Sequence, residues 1–387
     1  MGAVTAAQAR TAPAPAPAPA SPSTARVLND RLALRLLRDE GPLTAAQLKE
    51  MTGLSRPSVA DLVERLAQAG LVEVVGEAGA RRRGPNARLY GLVARRAHLA
   101  ALDVRTDSAT AVVTDLLGRP LARAALPVDA VDEAVDVLEA LAREAGADPL
   151  HTVVVGAPGL VAPDGGGLRS TAGLPAWHRD LVAALRRRLP AAVSVENETN
   201  LAALAEQRAG AARDAGSFVL LWLGAGVGAA VVLDGRLRRG ASGGAGEIGF
   251  LPVPGTGSLP SAAGCEGGFH ALAGRAAVTG LAAAHGFTGP VADAVAGAAG
   301  EAFLDALAER LALGAAAVAA ILDPGCVVLG GELGHAGGPA LAERVARRLA
   351  ALSPVPTEVR ATALGDAAVL AGAGLAAAES AQASIFG

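Results

Sequence analysis

Lysine is nearly absent from this 387-residue chain: of 34 cationic side chains only Lys49 is a lysine. That bias fits a GC-rich genome and carries no mechanism. Aromatic residues make up only 2%, which argues against nucleic-acid binding by stacked rings and leaves Ala, Val and Leu to fill the core. The two cysteines, Cys265 and Cys326, cannot form a disulfide framework, and neither sits in a Cys-x-x-Cys pair. A reduced, cytoplasmic setting is therefore expected. No basic patch followed by an apolar run stands at the N-terminus, so no signal peptide is expected. One uncharged stretch, Ala215–Leu233, is long enough to suggest a membrane span. Its glycines split it into FVLLWL and AAVVL around GAGVG, the pattern of two buried strands, and no membrane partner is expected.

Apolar residues are 51% of the chain, enough for a sizeable core and, at this length, two or three domains. Residues 1–25 carry the alternating TAPAPAPAPASPS tract, read as an extended, disordered tail. Charge divides the remainder. Residues 26–96 hold 12 arginines and Lys49 against 8 acids, whereas the larger part is acidic enough to bring the whole chain to −3. A small basic module joined to a large acidic one suggests a nucleic-acid reader attached to something else.

Three helices and a hairpin are predicted in the basic module, residues 26–95. NDRLALRLLR (29–38) puts Leu32, Leu36 and Leu37 on one helical face. Thr44-Ala-Ala-Gln47 is a capping box that opens a second helix ending near Gly53. Ser55 caps a third helix, with Pro57 in its first turn and Val59, Leu62, Val63 and Leu66 as its apolar stripe. LVEVV and ARLYGLV then read as two strands around a loop carrying Arg81, Arg82 and Arg83. That order is a winged helix-turn-helix. Its third helix would enter the major groove of double-stranded DNA with Arg56 and Ser58 at the base edges. Arg65 is expected on the DNA backbone, and the three wing arginines on phosphate or in the minor groove.

In the large module, residues 96–387, a plan repeats. LAALDV, ATAVV and PLARAALPV are three β-like runs followed by helical segments, and SFVLLWL, AAVVLDG and RLRRGAS are three more. A duplicated α/β unit with two lobes, about 96–196 and 197–387, and a cleft between them is expected. Further on, ERLALGAAAVAAILDPGCVVLGG reads as helix, strand and a Gly330-Gly331 turn opening another helix. The GAGVG run (Gly224, Gly226, Gly228) precedes a strand, so a hairpin is the better geometry than a dinucleotide fingerprint. Whether its amides cradle a phosphate or merely turn the chain stays open.

Taken in order, VGAPGLVAPDGG, VENETNLAALAE, LGAGVGAAVVLDGRLRRGASGGAGEIG and ILDPGCVVLGGEL resemble the ROK family of sugar kinases and sugar-responsive repressors. The upstream NDRLALRLLRDEGPLTAAQLKEMTGLSRPSVADLVERLAQAGLV resembles the winged helix-turn-helix of its repressor branch. The resemblance covers residues 26–380. It implies an actin/hexokinase-like (RNase H-like) duplicated fold, a monosaccharide in the interlobe cleft, and a homodimer.

Residue by residue, the resemblance implies a site without its catalytic parts. The Asp-x-Gly-Gly-Thr of a family kinase is Asp103-Val104-Arg105-Thr106-Asp107 here, so only Asp103 survives and side chains fill the phosphate turn. Ala225 replaces the threonine of the later loop. The Asn-Asp pair holding the general base is Asn197-Glu198. Of the zinc site, Phe250 stands for the histidine, and Cys265 alone remains of three cysteines, too few for a structural zinc. Glu247 matches one sugar-binding glutamate, and His270 falls where another would be. The reading is thus a repressor on a pseudo-palindromic operator, needing neither cofactor nor metal. It senses a sugar or sugar derivative through Asn197, Glu198, Glu247 and His270, with Asp103 and the glycines as a phosphate-loop remnant. A ROK sugar kinase that kept a regulatory DNA-binding arm is the alternative. A regulator whose signal is a partner protein is a third reading.

Overall fold

The computed structural model describes residues 22–78, 87–162, 167–168, 176–261 and 267–386. Most of the alanine-proline tail, the wing arginines Arg81–Arg83 and Cys265 thus lie outside the described residues. The chain divides into two compact units, the first running to Val93 and the second from Ala94 to Ile385.

In the first unit, α1 spans Pro22–Asp39, so the helix expected from residue 29 starts earlier and takes in the last residues assigned to the tail. β1 (Leu43–Thr44), α2 (Ala45–Thr52) and α3 (Arg56–Gln68) follow. The capping box at α2 is formed in both directions: Gln47 N–H donates to Thr44 Oγ1 (3.3 Å) and Thr44 N–H donates to Gln47 Oε1 (2.9 Å). Gly53 closes α2 in the left-handed region at φ 70°, where a Cβ would be strained. Ser55 caps α3, whose buried stripe is Val59, Leu62, Val63 and Leu66. β2 (Val72–Ala78) pairs antiparallel with β3 (Ala87–Leu92). The short β1 joins the other edge of β3, making a three-stranded sheet that the sequence pattern did not announce.

Two five-stranded sheets organise the second unit. The first contains β4 (His98–Val104), β5 (Ala109–Asp115), β6 (Pro120–Leu126), β7 (Thr152–Ala157) and β8 (Ala192–Asn197), in the order β6-β5-β4-β7-β8. The second contains β9 (Phe218–Leu223), β10 (Val227–Leu233), β11 (Arg236–Arg238), β12 (Cys326–Gly330) and β13 (Glu358–Ala361), in the order β11-β10-β9-β12-β13. Both are the same design: an antiparallel meander, then two parallel strands on the far side of the first. The duplication expected from the repeated strand-turn pattern is present. The uncharged run 215–233 forms the β9–β10 hairpin. The expected third strand of that repeat is shorter than RLRRGAS, only Arg236–Arg238.

Helices α4 (Val131–Glu144) and α5 (Trp177–Arg188) belong to the first half, and α6 (Glu198–Ala209) leads into the second. There follow α7 (His270–Ala273), α8 (Arg275–Ala284), the short α9 (Val291–Asp293), α10 (Glu301–Leu322), α11 (Gly331–Leu352) and α12 (Ala368–Phe386). With so few aromatics, each sheet is sealed mainly by Val, Leu and Ala, and the largest fully buried side chains are Phe218, Phe269 and Phe303. Gly314 of α10 leaves room for the Phe269 ring, since a Cβ there would sit 2.5 Å from Phe269 Cζ.

Helix α12 closes the fold by returning to the first half. A Cβ on Gly372 would lie 1.9 Å from the Leu201 carbonyl oxygen of α6, and one on Gly156 of β7 would lie 2.8 Å from Val369. The second lobe is therefore not the whole of residues 197–387, because the last helix packs on the first. By length and composition the stretch Gly365–Phe386 could cross a membrane. Within it a stripe of Val369, Ala373, Ala377 and Ala381 is buried, and about 33% of the span is buried in all.

Close contact at Gly372 sets a test. Gly372→Ala should destabilise the protein by about 1–3 kcal/mol through overpacking. Gly374→Ala, on the same helix with open space around it, should be neutral or gain up to about 1 kcal/mol of helix propensity. Urea unfolding of the two variants measures the difference, and equal midpoints would refute the close α6–α12 contact.

Candidate functional site: a buried carboxylate and its arginine

Asp103 ends β4 and is only 7% exposed. A buried carboxylate needs a counter-charge, and the chain supplies it two residues on. Arg105 Nε and Nη2 donate to Asp103 Oδ2 at 3.1 and 3.0 Å. Asp103 Oδ1 is buried with no hydrogen-bond partner among the described residues. Burial raises the Asp103 pKa above its ordinary value, and Arg105 opposes that shift. The backbone of Arg105 is fixed from below: the buried His178 of α5 places Nε2 3.0 Å from the Arg105 carbonyl. A carbonyl only accepts, so Nε2 carries the proton. Burial lowers the His178 pKa, which keeps the ring neutral.

Glu198 starts α6 beside this pair. Burial, then the negative charge of Asp103, push its pKa up to about 7, with Arg105 pulling the other way. Asn197, expected to meet ligand, is largely spent on structure. Its Oδ1 caps α6 by accepting from Thr199 N–H (2.8 Å) and Asn200 N–H (3.3 Å), and its Nδ2 donates to the Gly159 carbonyl (2.9 Å). One amide hydrogen is left over. Its role is to fix Glu198 and the loop after β7. Glu196 does similar work, accepting from Asn200 Nδ2 (2.8 Å) and pairing with Arg239 (2.6 Å).

Across the cleft, a methyl on Gly244 would touch Leu160 at 3.4 Å and Glu247 Cγ at 3.7 Å. Glu247 thus faces the loop that Asn197 holds. It is exposed, and partial desolvation raises its pKa. His270 lies under the glycine hairpin: its Nδ1 accepts from Val227 N–H (3.3 Å), and Phe250 meets its ring edge-on at 5.3 Å. Burial lowers its pKa, so a neutral ring offers Nε2–H. Asp103 and Glu198 thus lie beside Arg105, whereas Glu247 and His270 stand with the second sheet, His270 against the β9–β10 hairpin, and Asn197 is a cap more than a contact.

The glycines have packing reasons of their own. Gly224 N–H donates to the Gly226 carbonyl (3.1 Å), closing the β9–β10 hairpin. A Cβ on Gly331 (φ 76°) would lie 2.5 Å from the Leu223 carbonyl oxygen, and one on Gly330 would lie 3.0 Å from Leu220. Glu332, beside them in the first turn of α11, forms a two-pronged ion pair with Arg275. Among the described residues no group of three or more His, Cys, Asp and Glu is placed to hold a metal.

On the first unit, Arg56 and Ser58 are exposed in the first turn of α3. Ser58 Oγ lies 2.8 Å from Ser55 Oγ. Arg65 differs from expectation. Its guanidinium is held by Asp30 of α1 (2.6 Å) and by Asp61 one turn back, and hydrogen bonding to Asp30 raises its pKa. It ties α1 to α3 instead of presenting a free cation. Asp61 is readable from i,i+4 spacing; Asp30 is not.

This is a winged helix followed by a duplicated, two-sheet α/β fold. A ROK family model matches residues 99–380, and a MarR family model matches residues 28–83. The chain belongs to the ROK family. It is 27% identical over 241 residues to the DNA-binding transcriptional dual regulator NagC of Escherichia coli (strain K12), covering 58% of this chain and 57% of that protein. Against the xylose repressor of Bacillus subtilis (strain 168) it is 25% identical over 237 residues, 58% of this chain and 60% of that one. The chain thus spans well under two thirds of the length of these relatives. Among solved structures, a ROK family transcriptional regulator described as a homolog of the E. coli MLC protein superposes with TM-score 0.75 at 20% identity, over 94% of this chain and 98% of that one. A ROK hexokinase from Thermus thermophilus gives 0.60 at 29%, over 74% and 99%.

Glu198 makes a pH prediction. Its folded pKa of about 7 lies above that of an unfolded glutamate, so between the two values the folded state holds the extra proton. Its contribution to stability falls as pH rises through about 7. Glu198→Gln lacks that loss. The Tm advantage of the variant should widen from pH about 5 to pH about 8; parallel Tm–pH curves would exclude a raised Glu198 pKa.

Proposed function

We propose that the protein is a cytoplasmic transcriptional regulator, a repressor, that binds a pseudo-palindromic operator as a homodimer through the winged helix and senses a sugar or sugar derivative in the interlobe cleft. The observation that carries this reading is a winged helix on the same chain as a ROK domain in which Arg105, just after β4, is bonded to the buried Asp103. A recognition helix with exposed Arg56 at its start supports DNA reading, and the repressor relatives support the same function. In the cleft, Glu198 and Glu247 offer acceptors to hydroxyls, and His270 offers one N–H donor.

The kinase alternative draws on the hexokinase among the structural relatives. Phosphoryl transfer is positioning plus charge stabilisation around phosphate. Here the turn that must approach phosphate carries a side chain, and the nearby groups include Asp103, Glu198 and Asp366. The Arg105 side chain fills a position where a glycine would let the backbone approach phosphate. The proposed ligand residues therefore bind without transferring phosphate, and no cofactor is required.

Selection of binding sites from random duplex DNA by the full chain tests the first half. Arg56→Ala should cost roughly 1–3 kcal/mol on the selected site if it reads a guanine. Arg65→Ala should instead lower the Tm of the winged helix, because it breaks the tie between α1 and α3. The second half is tested with common hexoses, pentoses and amino sugars: at least one should bind by calorimetry and release the operator, with no ADP formed in a coupled assay. ADP turnover of about 1 s⁻¹ or more, an ordinary enzyme rate, would establish the kinase instead.

A further inference from the structure

The chain crosses from the second sheet back to the first through a short connector, Thr362–Asp366, between β13 and α12. Two charged side chains hold it. Glu206 of α6 is fully buried and accepts from Thr362 Oγ1, Ala363 N–H (3.1 Å), Leu364 N–H (3.0 Å) and, on its other side, Ala211 N–H (2.6 Å). All its acceptor capacity is used inside the protein, so this hold is fixed. Arg105 is the second. Its Nη2 donates to the Asp366 carbonyl at 3.2 Å, and its Nη1 lies 3.8 Å from Asp366 Oδ1. Unlike Glu206, its side chain is 35% exposed and lies within the electrostatic reach of both Asp103 and Glu198. Asp103 sits opposite Gly156 of β7, and Gly156 opposite Glu196 of β8, so Glu198, two residues on, begins α6 at the same end of the sheet as the Asp103–Arg105 pair.

We propose that Arg105 is a positioning residue that couples the charge and occupancy of the Glu198 corner to the Thr362–Asp366 connector. The proposal deepens the sensing function and rests on it for the identity of the signal, but not for the coupling itself. A charged Glu198 competes with Asp366 for the guanidinium and loosens the connector. A proton on Glu198 ends the competition and leaves Arg105 on Asp366, and a ligand hydroxyl that donates to Glu198 takes up an acceptor position the guanidinium would otherwise use. The groups around Glu198 and Arg105 are Asp103 and Asp366, with Arg123 of β6 acting on Asp103. The neutral His178 holds the Arg105 carbonyl. His335 of α11 packs on Gly365, where a Cβ would lie 2.5 Å from its Nδ1, and so faces the connector independently.

The test is amide hydrogen exchange of the connector in the full-length protein, corrected for intrinsic rates, from pH about 6 to pH about 8. In the wild type, corrected protection should fall at least about threefold as pH rises and Glu198 ionises. Arg105→Gln and Glu198→Gln should each flatten that profile, Arg105→Lys should restore part of it, and His335→Gln should leave it intact. Glu198→Gln keeps Arg105 in place, so it decides the matter even if Arg105→Gln folds poorly. A profile that survives in Glu198→Gln, or vanishes only in His335→Gln, overturns the proposal. A second arm adds a sugar that binds the wild type: it should protect the connector in the wild type and not in Arg105→Gln, and equal protection in both overturns the coupling. If no sugar binds the wild type, the sensing function falls, and the pH arm alone decides the role of Arg105.

Discussion

A carboxylate taken out of water must be answered by a positive charge or a proton. The buried Asp103 is the place where this fold has to answer. The solution is Arg105, supplied by the protein's own turn and bonded twice to one oxygen of Asp103. Everything near that pair follows from it. Burial, and then the charge of Asp103, push the Glu198 carboxyl up to about 7, with Arg105 opposing. Since Arg105 also reaches Asp366, neutralising one strand end fixes the point where the chain returns from the second sheet to the first.

That return is the feature that makes the two halves one object. Two sheets with the same strand order could exist as independent lobes joined by a tether. Here α12 inserts against α6 so closely that Gly372 has no room for a methyl group, and Glu206 pins the segment leading into it. A fixed hold beside an adjustable one is the arrangement a binding cleft needs if small changes at the site are to move a packed element. Interiors are close-packed and shift between discrete arrangements instead of yielding continuously.

How much of this could be read from the sequence depends on the range over which each feature is determined. The capping box at Thr44, the cap at Ser55 and the stripe on α3 are set within a few residues, and all are formed as read. The antiparallel meanders carry turn residues between short apolar runs, and they too were legible. β7 is buried along its whole length and has no alternation to mark it, so it passes unnoticed beside helices. The return of α12 depends on contacts with residues some 170 positions earlier, for which an alanine-rich helix carries no local mark. Asn197 is the instructive case. Its place in a sugar-site motif suggested a ligand contact. The motif also reads as an N-cap before the apolar run of α6, and the cap takes its oxygen. Arg65 misled for the opposite reason, because spacing showed it off the apolar stripe but not the aspartate on α1 that holds it.

The glycines of the cleft invite a nucleotide reading, and the packing shows why that inference is weak. Gly331 adopts a positive φ against the backbone of Leu223, and Gly330 leaves space for Leu220. The β9–β10 hairpin closes through the Gly224–Gly226 bond. Each of these requirements comes from joining a strand to a helix or to its antiparallel neighbour, so it persists whether or not a phosphate is ever bound. Arg105 is different, since the fold does not demand it. A glycine at 105 would leave Asp103 without its counter-charge, whereas the arginine satisfies Asp103. Packing alone can therefore keep the glycines of these turns, and by themselves they carry no argument for a nucleotide. What distinguishes this corner is its charge, a buried Asp103 answered by Arg105 with Glu198 beside them and pushed up to about 7.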